Sequence, residues 1–369
     1  MRHSLIVVLF MVFNFYVAEA QIYTPGSDQM ATRKHQNEET VKAFQLQTKQ
    51  PQSTSYVRHR TDIITTAHKV LEIEKEFTKV EPDYKTLNSI LDRVTKKVET
   101  LLTDGATIDE AFVLKVFNSI NYELWVNNGF KTKETAFLAD VLKIENGKHY
   151  ADCDVLSILY YSILVDIIGR DDVVIVRRWG HDNMRWKLES GDVDWETTTG
   201  KRKYNDEYKK DLGTSFSTEL KTTDMVRSIA YYNVANAYGN QQNDQKALEY
   251  YDKAIQLSGS DANFYYYKGI VYGGQAKYQM AINIFNKAIS LDPENSDSYY
   301  WRGIGYQGLK NYPQAIKDLT QAIDDPIRSS EYYPDYYTAR GECYTAQGEK
   351  DKAKKDFDEA RILRSKIRY

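Results

Sequence analysis

A repeat in the C-terminal part of this chain limits its possible folds more than anything else in the sequence. Ala254, Ala288 and Ala322 occupy equivalent positions 34 residues apart, and Ala360 continues the series after a short insertion around Pro326 to Glu331. An aromatic recurs at Tyr231, Tyr265, Tyr299 and Tyr337, a small residue at Ala235, Gly269, Gly303 and Gly341, and a second tyrosine at Tyr238, Tyr272, Tyr306 and Tyr344. A second set follows in each copy: Ala247, Ala281, Ala315 and Ala353, then Tyr251, Phe285, Leu319 and Phe357, with Pro293 closing the second copy. Small and large residues at helical spacing predict two helices per copy. The small residues let the paired helices approach, the aromatics fill the gaps, and stacking of copies buries a continuous core.

Period and residue types together resemble the tetratricopeptide repeat over residues 222–369. The resemblance implies an all-α solenoid of four repeats that binds a protein or peptide. One residue after the first aromatic stand Tyr232, Tyr266 and Tyr300, with Asn236, Ile270 and Ile304 a turn further on. In stacked repeats these first-helix positions line the concave surface. We expect them to form the partner-binding set, because tyrosine offers rigid amphipathic contact area. The competing reading is a Tyr-rich surface in a chain with 30 tyrosines. The Lys and Asn pair by which some repeats clamp a C-terminal carboxylate is missing from these slots. Cys343, inside the last first helix, reads as a small packed residue.

Upstream, the chain centres on residues 150–200. Cys153, Val155, Leu156, Ile158, Leu159, Ile163, Leu164, Ile167 and Ile168 leave almost no polar face, which describes a buried helix. Asp152 is the expected N-cap, Cys153 the first helical residue and Gly169 the stop. A cysteine there lies at the positive end of the helix dipole, which favours thiolate, while Asp152 and Asp154 oppose it. VVIVRR over Val173 to Arg178, His181 to Leu188, and Val193 through Glu196 and the three threonines predict strands, with a turn at Ser190 and Gly191. Cys153, His181 and Glu196 thus supply a candidate nucleophile, base and orienting acid. Against this, a lone Cys in an apolar helix is usually a core residue. Direct opposition of His181 and Glu196 would also need a turn nearer Leu188 and Glu189, so a bulge or wider loop is required. Asp194, on the same strand face, ranks second as the acid.

These residues resemble bacterial members of the transglutaminase-like superfamily, whose fold is related to papain-like cysteine peptidases. The features that carry the resemblance are Cys153-Asp154 with Ser157 and Tyr160-Tyr161, His181 with Arg185, Trp195-Glu196-Thr197-Thr198, and the segment NYELWVNNGF from Asn121 to Phe130. It covers roughly residues 65–205 and implies an α+β papain-like/transglutaminase-like domain. Cys153 is then nucleophile, His181 base and Glu196 the acid that fixes the imidazole. The glycine often found before the family's cysteine is absent, and Glu stands where much of the superfamily has Asp. For the oxyanion the backbone N–H of Cys153 is one candidate, and Asn121, Tyr122 and Trp125 are others.

The remaining segments set the context. Arg2 and His3, an apolar run from Leu5 to Val17 and Ala18-Glu19-Ala20 predict a signal peptide over residues 1–20. The run is short of the ~20 residues of a membrane span, so no stable span is expected after its removal. Residues 21–60 read as a flexible polar leader, 61–215 as the transglutaminase-like domain and 222–369 as the repeats. Export with only Cys153 and Cys343 predicts no disulfide framework; we expect two unpaired thiols. From Thr61 to Leu102 and from Ile108 to Trp125, apolar spacing predicts amphipathic helices, punctuated by Pro82-Asp83 and started near Asp109. With 49 basic and 52 acidic side chains, net charge −3, there is no electrostatic case for nucleic acid. No cofactor motif occurs. His149, Cys153 and His181 offer three metal ligands but no fourth is evident, so no metal is expected. The expected function is an exported cysteine peptidase or amidase working through Cys-His-Glu, with repeats that hold a protein substrate or partner. The alternative is a non-catalytic interaction protein whose transglutaminase-like domain is a retained scaffold.

Overall fold

The computed structural model describes residues 63–102, 107–127, 130–132, 137–143, 149–178, 181–203, 217–324 and 334–367. The signal-peptide and leader segments, the insertion around Pro326 and the side chain of His149 lie outside the described residues. The chain divides into two compact units, one holding the described residues to Lys203 together with Glu219–Ala230, the other Tyr231 onward together with Ser217 and Thr218.

The first unit combines helices with a sheet. α1 (Thr66–Thr78) and α2 (Tyr84–Glu99) are amphipathic as their spacing requires, burying Val70, Leu71 and Ile73, and Leu87, Ile90, Leu91, Val94 and Val98. Asp83 caps α2 and Asp109 caps α3 (Glu110–Tyr122), each accepting the backbone N–H three residues on. α3 does not continue in α form to Trp125; it passes into a π-helical turn, Glu123–Asn127. A short parallel pair, β1 (Phe130–Thr132) and β2 (His149–Ala151), flanks α4 (Leu138–Val141). The α4 N-terminus is closed by a buried acid on α1: Glu74 accepts the N–H groups of Leu138 and Ala139, both at 2.8 Å.

The apolar helix follows as α5 (Cys153–Tyr161) and then relaxes into a π-helical segment, Ser162–Ile167. Gly169, at φ +84, ends it in the left-handed region. The π segment has a structural use. Asp166 accepts the N–H of Thr66 at 2.5 Å and Ser162 Oγ that of Ala67 at 2.9 Å, so the end of this helix caps the start of α1.

The five-stranded sheet has the order β6-β5-β4-β3-β7, with β3 (Val173–Arg178), β4 (His181–Trp186), β5 (Val193–Glu196), β6 (Lys201–Arg202) and β7 (Thr218–Leu220). β3/β4, β4/β5 and β5/β6 are antiparallel. The predicted third strand stops at Glu196, and the threonines turn instead of extending it. One sheet face carries Met184, Trp186 and Trp195. Phe117 of α3 stacks on Trp195 at 5.4 Å and meets Trp186 edge-on at 5.9 Å. The other face carries His181, Asn183, Arg185, Asp194 and Glu196 by the strand alternation.

In the second unit the helices pair repeat by repeat: the part of α6 (Thr223–Asn240) from Tyr231 on with α7 (Asp244–Leu257), α8 (Ala262–Gly274) with α9 (Tyr278–Leu291), α10 (Ser296–Gly308) with α11 (Tyr312–Ile323), and α12 (Pro334–Ala346) with α13 (Lys350–Ile367). The small slots sit against the large slots of the partner helix. A Cβ on Gly269 would come within 2.8 Å of the Phe285 ring, on Gly303 within 3.0 Å of Leu319, and on Gly341 within 2.9 Å of Phe357. Charge pairs reinforce the later copies. Arg302 forms a fork with Asp318 at 2.6 and 2.7 Å and reaches back to Asn286 at 2.8 Å. Arg340 repeats this with Asp356 at 2.9 and 2.8 Å and with Thr320 at 3.1 Å.

Candidate functional site

The N-terminus of α5 forms as its sequence requires. Asp152 is extended and its carboxylate accepts the Val155 N–H at 3.1 Å, which makes Cys153 the first helical residue. The thiol lies 3.4 Å from Asp154 Oδ1 and is approached by the backbone N–H of Asp182, the residue after His181. Burial pushes the Cys153 thiol well above its ordinary value, and Asp154, Asp152 and Asp182 add to this; the Asp182 N–H pulls the other way without winning. The helix-dipole argument for a thiolate is therefore outweighed. The cation nearest those acids, Arg177, is engaged with Asp182 at 2.9 Å and stands 3.8 Å from Asp154.

His181 opens β4 and its Nε2 is 2.5 Å from Glu196 Oε2. The other oxygen, Oε1, accepts from the hydroxyl of Thr198 at 2.7 Å and from its N–H at 3.2 Å. Burial raises the Glu196 carboxyl, but the facing His181 and the Thr198 bonds outweigh it and hold the group below its ordinary value. The turn Thr197–Gly200 is closed by Gly200 N–H to Glu196 O at 2.8 Å. Gly200 is at φ +64, and a Cβ there would fall 2.2 Å from Asn121 Nδ2, so only glycine fits. Asn121, a candidate oxyanion donor by sequence, is buried against this turn and meets Tyr160 Oη at 3.5 Å.

The register explains which acid faces the histidine. Met184 pairs with Trp195 and Arg185 with Asp194, so the β4/β5 turn centres on Glu189 and Ser190, between the two positions the sequence offered, and no bulge is needed. Glu196 is then a diagonal neighbour of His181 on the same face, within reach of a long acidic side chain. Asp194 is taken by Arg185, in a fork at 2.6 and 2.8 Å, with Arg178 at 3.3 Å. It has no part in orienting His181. Thr198 was not singled out by the sequence, although a threonine two residues after an acid is a local signal for a side-chain bond across a turn.

The expected tyrosine ladder is not exposed. Tyr232, Tyr266 and Tyr300 are 9, 1 and 7 % exposed and Ile270 is 7 %. The reason is packing within and between repeats: the Tyr232 ring lies 5.4 Å from Phe264 and 5.5 Å from Tyr267 of the following copy, Tyr266 meets Phe285 of its own copy at 6.2 Å, and Tyr300 stacks on Tyr336 of the following copy at 4.5 Å. Asn236 accepts from the Tyr251 hydroxyl at 2.5 Å and is half-buried, as is Ile304. The rings assigned to the core, Tyr231, Tyr265, Tyr299 and Tyr337, are the half-exposed ones, lying within 6 Å of Lys253, Lys287, Arg302 and Arg340 respectively. Cys343 is fully buried, and burial, then Glu342, pushes its thiol up to about 12. Among the described residues no group of three His, Cys, Asp or Glu is placed to hold a metal, and no helix is long and apolar enough to cross a membrane.

Residues 228–261, 262–295, 284–317 and 334–360 match family models described as tetratricopeptide repeat. The C-terminal part of the chain therefore carries tetratricopeptide repeats, which bind protein partners. Among solved structures, a crystal structure of MamA is similar at 23 % identity over 45 % of this chain and 90 % of that one, with a TM-score of 0.36. MamA of Desulfovibrio magneticus is similar at 21 % identity over 38 % of this chain and 76 % of that one, TM-score 0.35. The Arabidopsis OM64 tetratricopeptide domain is similar at 23 % identity over 33 % of this chain and 98 % of that one, TM-score 0.31. Among curated proteins the chain has no match.

Proposed function

We propose that this chain is an exported interaction protein whose repeat solenoid holds a protein partner, with the first unit as a transglutaminase-like scaffold. The array of paired helices matching the repeat family carries this reading. Burial and three nearby carboxylates raise the thiol of the partly accessible Cys153, which disfavours a resting thiolate and agrees with a scaffold. With the tyrosines packed away, Asn236 and Ile304 are the two members of the expected groove set left partly accessible to a ligand. The test is a photo-crosslinking amino acid placed at Ile304, with a second at the exposed Met280 as control. A discrete crosslinked protein from the Ile304 site alone supports the reading; none from either site refutes it for the groove.

A second reading has one observation in its favour, the 2.5 Å contact of His181 with Glu196 in a strand whose next residue directs its N–H at the Cys153 thiol. In this reading the chain is a cysteine peptidase or amidase. Cys153 attacks a carbonyl carbon, His181 takes the thiol proton and returns it to the leaving amine, and Glu196 keeps the imidazole in place. Burial and the nearby carboxylates raise the thiol, which favours proton transfer to His181 during attack over a preformed thiolate. Hydrolysis of a generic amide or ester panel by the wild type, abolished in both Cys153→Ala and His181→Ala and retained in Cys343→Ser, would favour this reading over the scaffold.

A further inference from the structure

In the inner repeats the second helix presents an apolar stripe to the repeat that follows. In the second copy this is Tyr278, Ile282, Phe285 and Ile289, and in the third Tyr312, Ile316, Leu319 and Ile323. The contact is intimate: a Cβ on Gly305 of α10 would lie 2.9 Å from Ile282, and one on Gly308 2.6 Å from Tyr278. Phe285 and Leu319 are 1 and 0 % exposed as a result.

In the fourth copy the same four positions read Lys350, Lys354, Phe357 and Arg361. The aromatic centre is kept, and each apolar flank is replaced by a cation. Phe357 is 39 % exposed, its inner edge seated on Gly341, while Lys350, Lys354 and Arg361 are exposed around it. Arg364, on the next turn, is exposed on the same side. Arg361 bonds Asp358 and Arg364 bonds Asp335, both at 2.7 Å and both among exposed groups, where such pairs exchange easily. A face left to solvent alone would be polar throughout. This one keeps the ring and replaces each apolar flank by a cation, two exposed pairings with Asp358 and Asp335 notwithstanding.

We propose that the outer face of α13 docks an acidic amphipathic helix from a different protein, bearing a small residue over Phe357 and Glu or Asp opposite Lys350, Lys354 and Arg361. The partner helix packs on α13 as α10 packs on α9 and α12 on α11. Charge complementarity selects it. It also rejects a second copy of this chain, because two α13 faces would bring like charges together around the ring. The inference rests on the interaction reading but uses a surface separate from the Ile304 groove.

The test uses the full chain and a fluorescent helical peptide patterned on α10, with Ala at the positions of Gly305 and Gly308 and Glu on both flanks. The expected result is saturable binding that weakens at high ionic strength, falls at least tenfold in Phe357→Ser, and is lost when Lys replaces the flanking Glu. A Lys354→Glu/Arg361→Glu chain should reverse the preference and take the Lys peptide. Absence of binding, binding indifferent to Phe357→Ser and to the charge reversal, or self-association of the chain that Phe357→Ser abolishes would each overturn the proposal. Crosslinking at Ile304 that persists in Phe357→Ser would show that the terminal face alone, and not the interaction reading, had failed.

Discussion

Glu196 reaches His181 diagonally across the β4/β5 ladder, Oε2 to Nε2 at 2.5 Å, while its other oxygen is held by Thr198. The pair is buried on the acid side, and each partner's cost of leaving water is offset by the other. Replacing His181 by Ala should leave an unpartnered carboxylate that burial dominates. The Glu196 pKa should then rise above the usual ~4.3 of a glutamate, measurable by carbon NMR. At neutral pH the loss of stability should be about 3 kcal/mol. The sign with pH also changes. In the wild type this acid's folded pKa is depressed, so its contribution is present above the unfolded value and disappears as pH falls through the folded one. In His181→Ala the raised carboxyl regains stability as acid protonates it. A variant whose denaturation midpoint is unchanged at pH 7 would show that the pair carries no such energy.

The Cys153 thiol should resist alkylation. Its surroundings hold the proton, so in a Cys343→Ser background iodoacetamide at pH 7 should label it at least tenfold more slowly than a free thiol, with the rate rising only in alkali. Asp154→Asn removes the nearest carboxylate and should shift the labelling profile to lower pH. Rapid labelling near pH 6 in the unaltered site would instead show an activated thiolate and move the balance toward the hydrolase reading.

Two glycines of α8 should answer the same substitution oppositely. Gly269→Ala drives a methyl into the Phe285 ring, and overpacking of about 1–3 kcal/mol exceeds the ~1 kcal/mol gained in helix propensity. Gly273 has nothing within 4 Å of its would-be Cβ, so Gly273→Ala should stabilise by roughly 0.5–1 kcal/mol. Urea denaturation of both variants measures the difference, and equal shifts would contradict the close approach at Gly269.

Glu74 links α1 to α4 while buried, and burial raises its carboxyl to about 8 despite the two N–H bonds it accepts from Ala139 and Leu138. Because the folded value lies above the unfolded ~4.3, the folded state binds the extra proton, and stability should fall as pH climbs from the unfolded value through about 8. Glu74→Gln should flatten that slope without abolishing the fold. Thermal melts of both proteins across this range make the comparison.

The repeat was legible because its determinants are local and periodic: Gly269, Gly303 and Gly341 must be small wherever helices pair closely, and their spacing survives without reference to anything distant. The cap Asp152, the start of α5 at Cys153, the break at Pro82-Asp83 and the helix start near Asp109 were legible for the same reason, since each of these three carboxylates bonds an N–H three residues on. The order and kind of these elements were thus written locally in the chain. How they meet is a property of the folded molecule. Strand register selects Glu196 over Asp194 by handing Asp194 to Arg185, and helix packing within and between repeats turns Tyr232, Tyr266 and Tyr300 inward because each ring finds an aromatic neighbour there. Assembly also raises the Cys153 thiol, since burial and carboxylates drawn from a helix and a strand together outweigh a helix dipole that α5 alone would have offered.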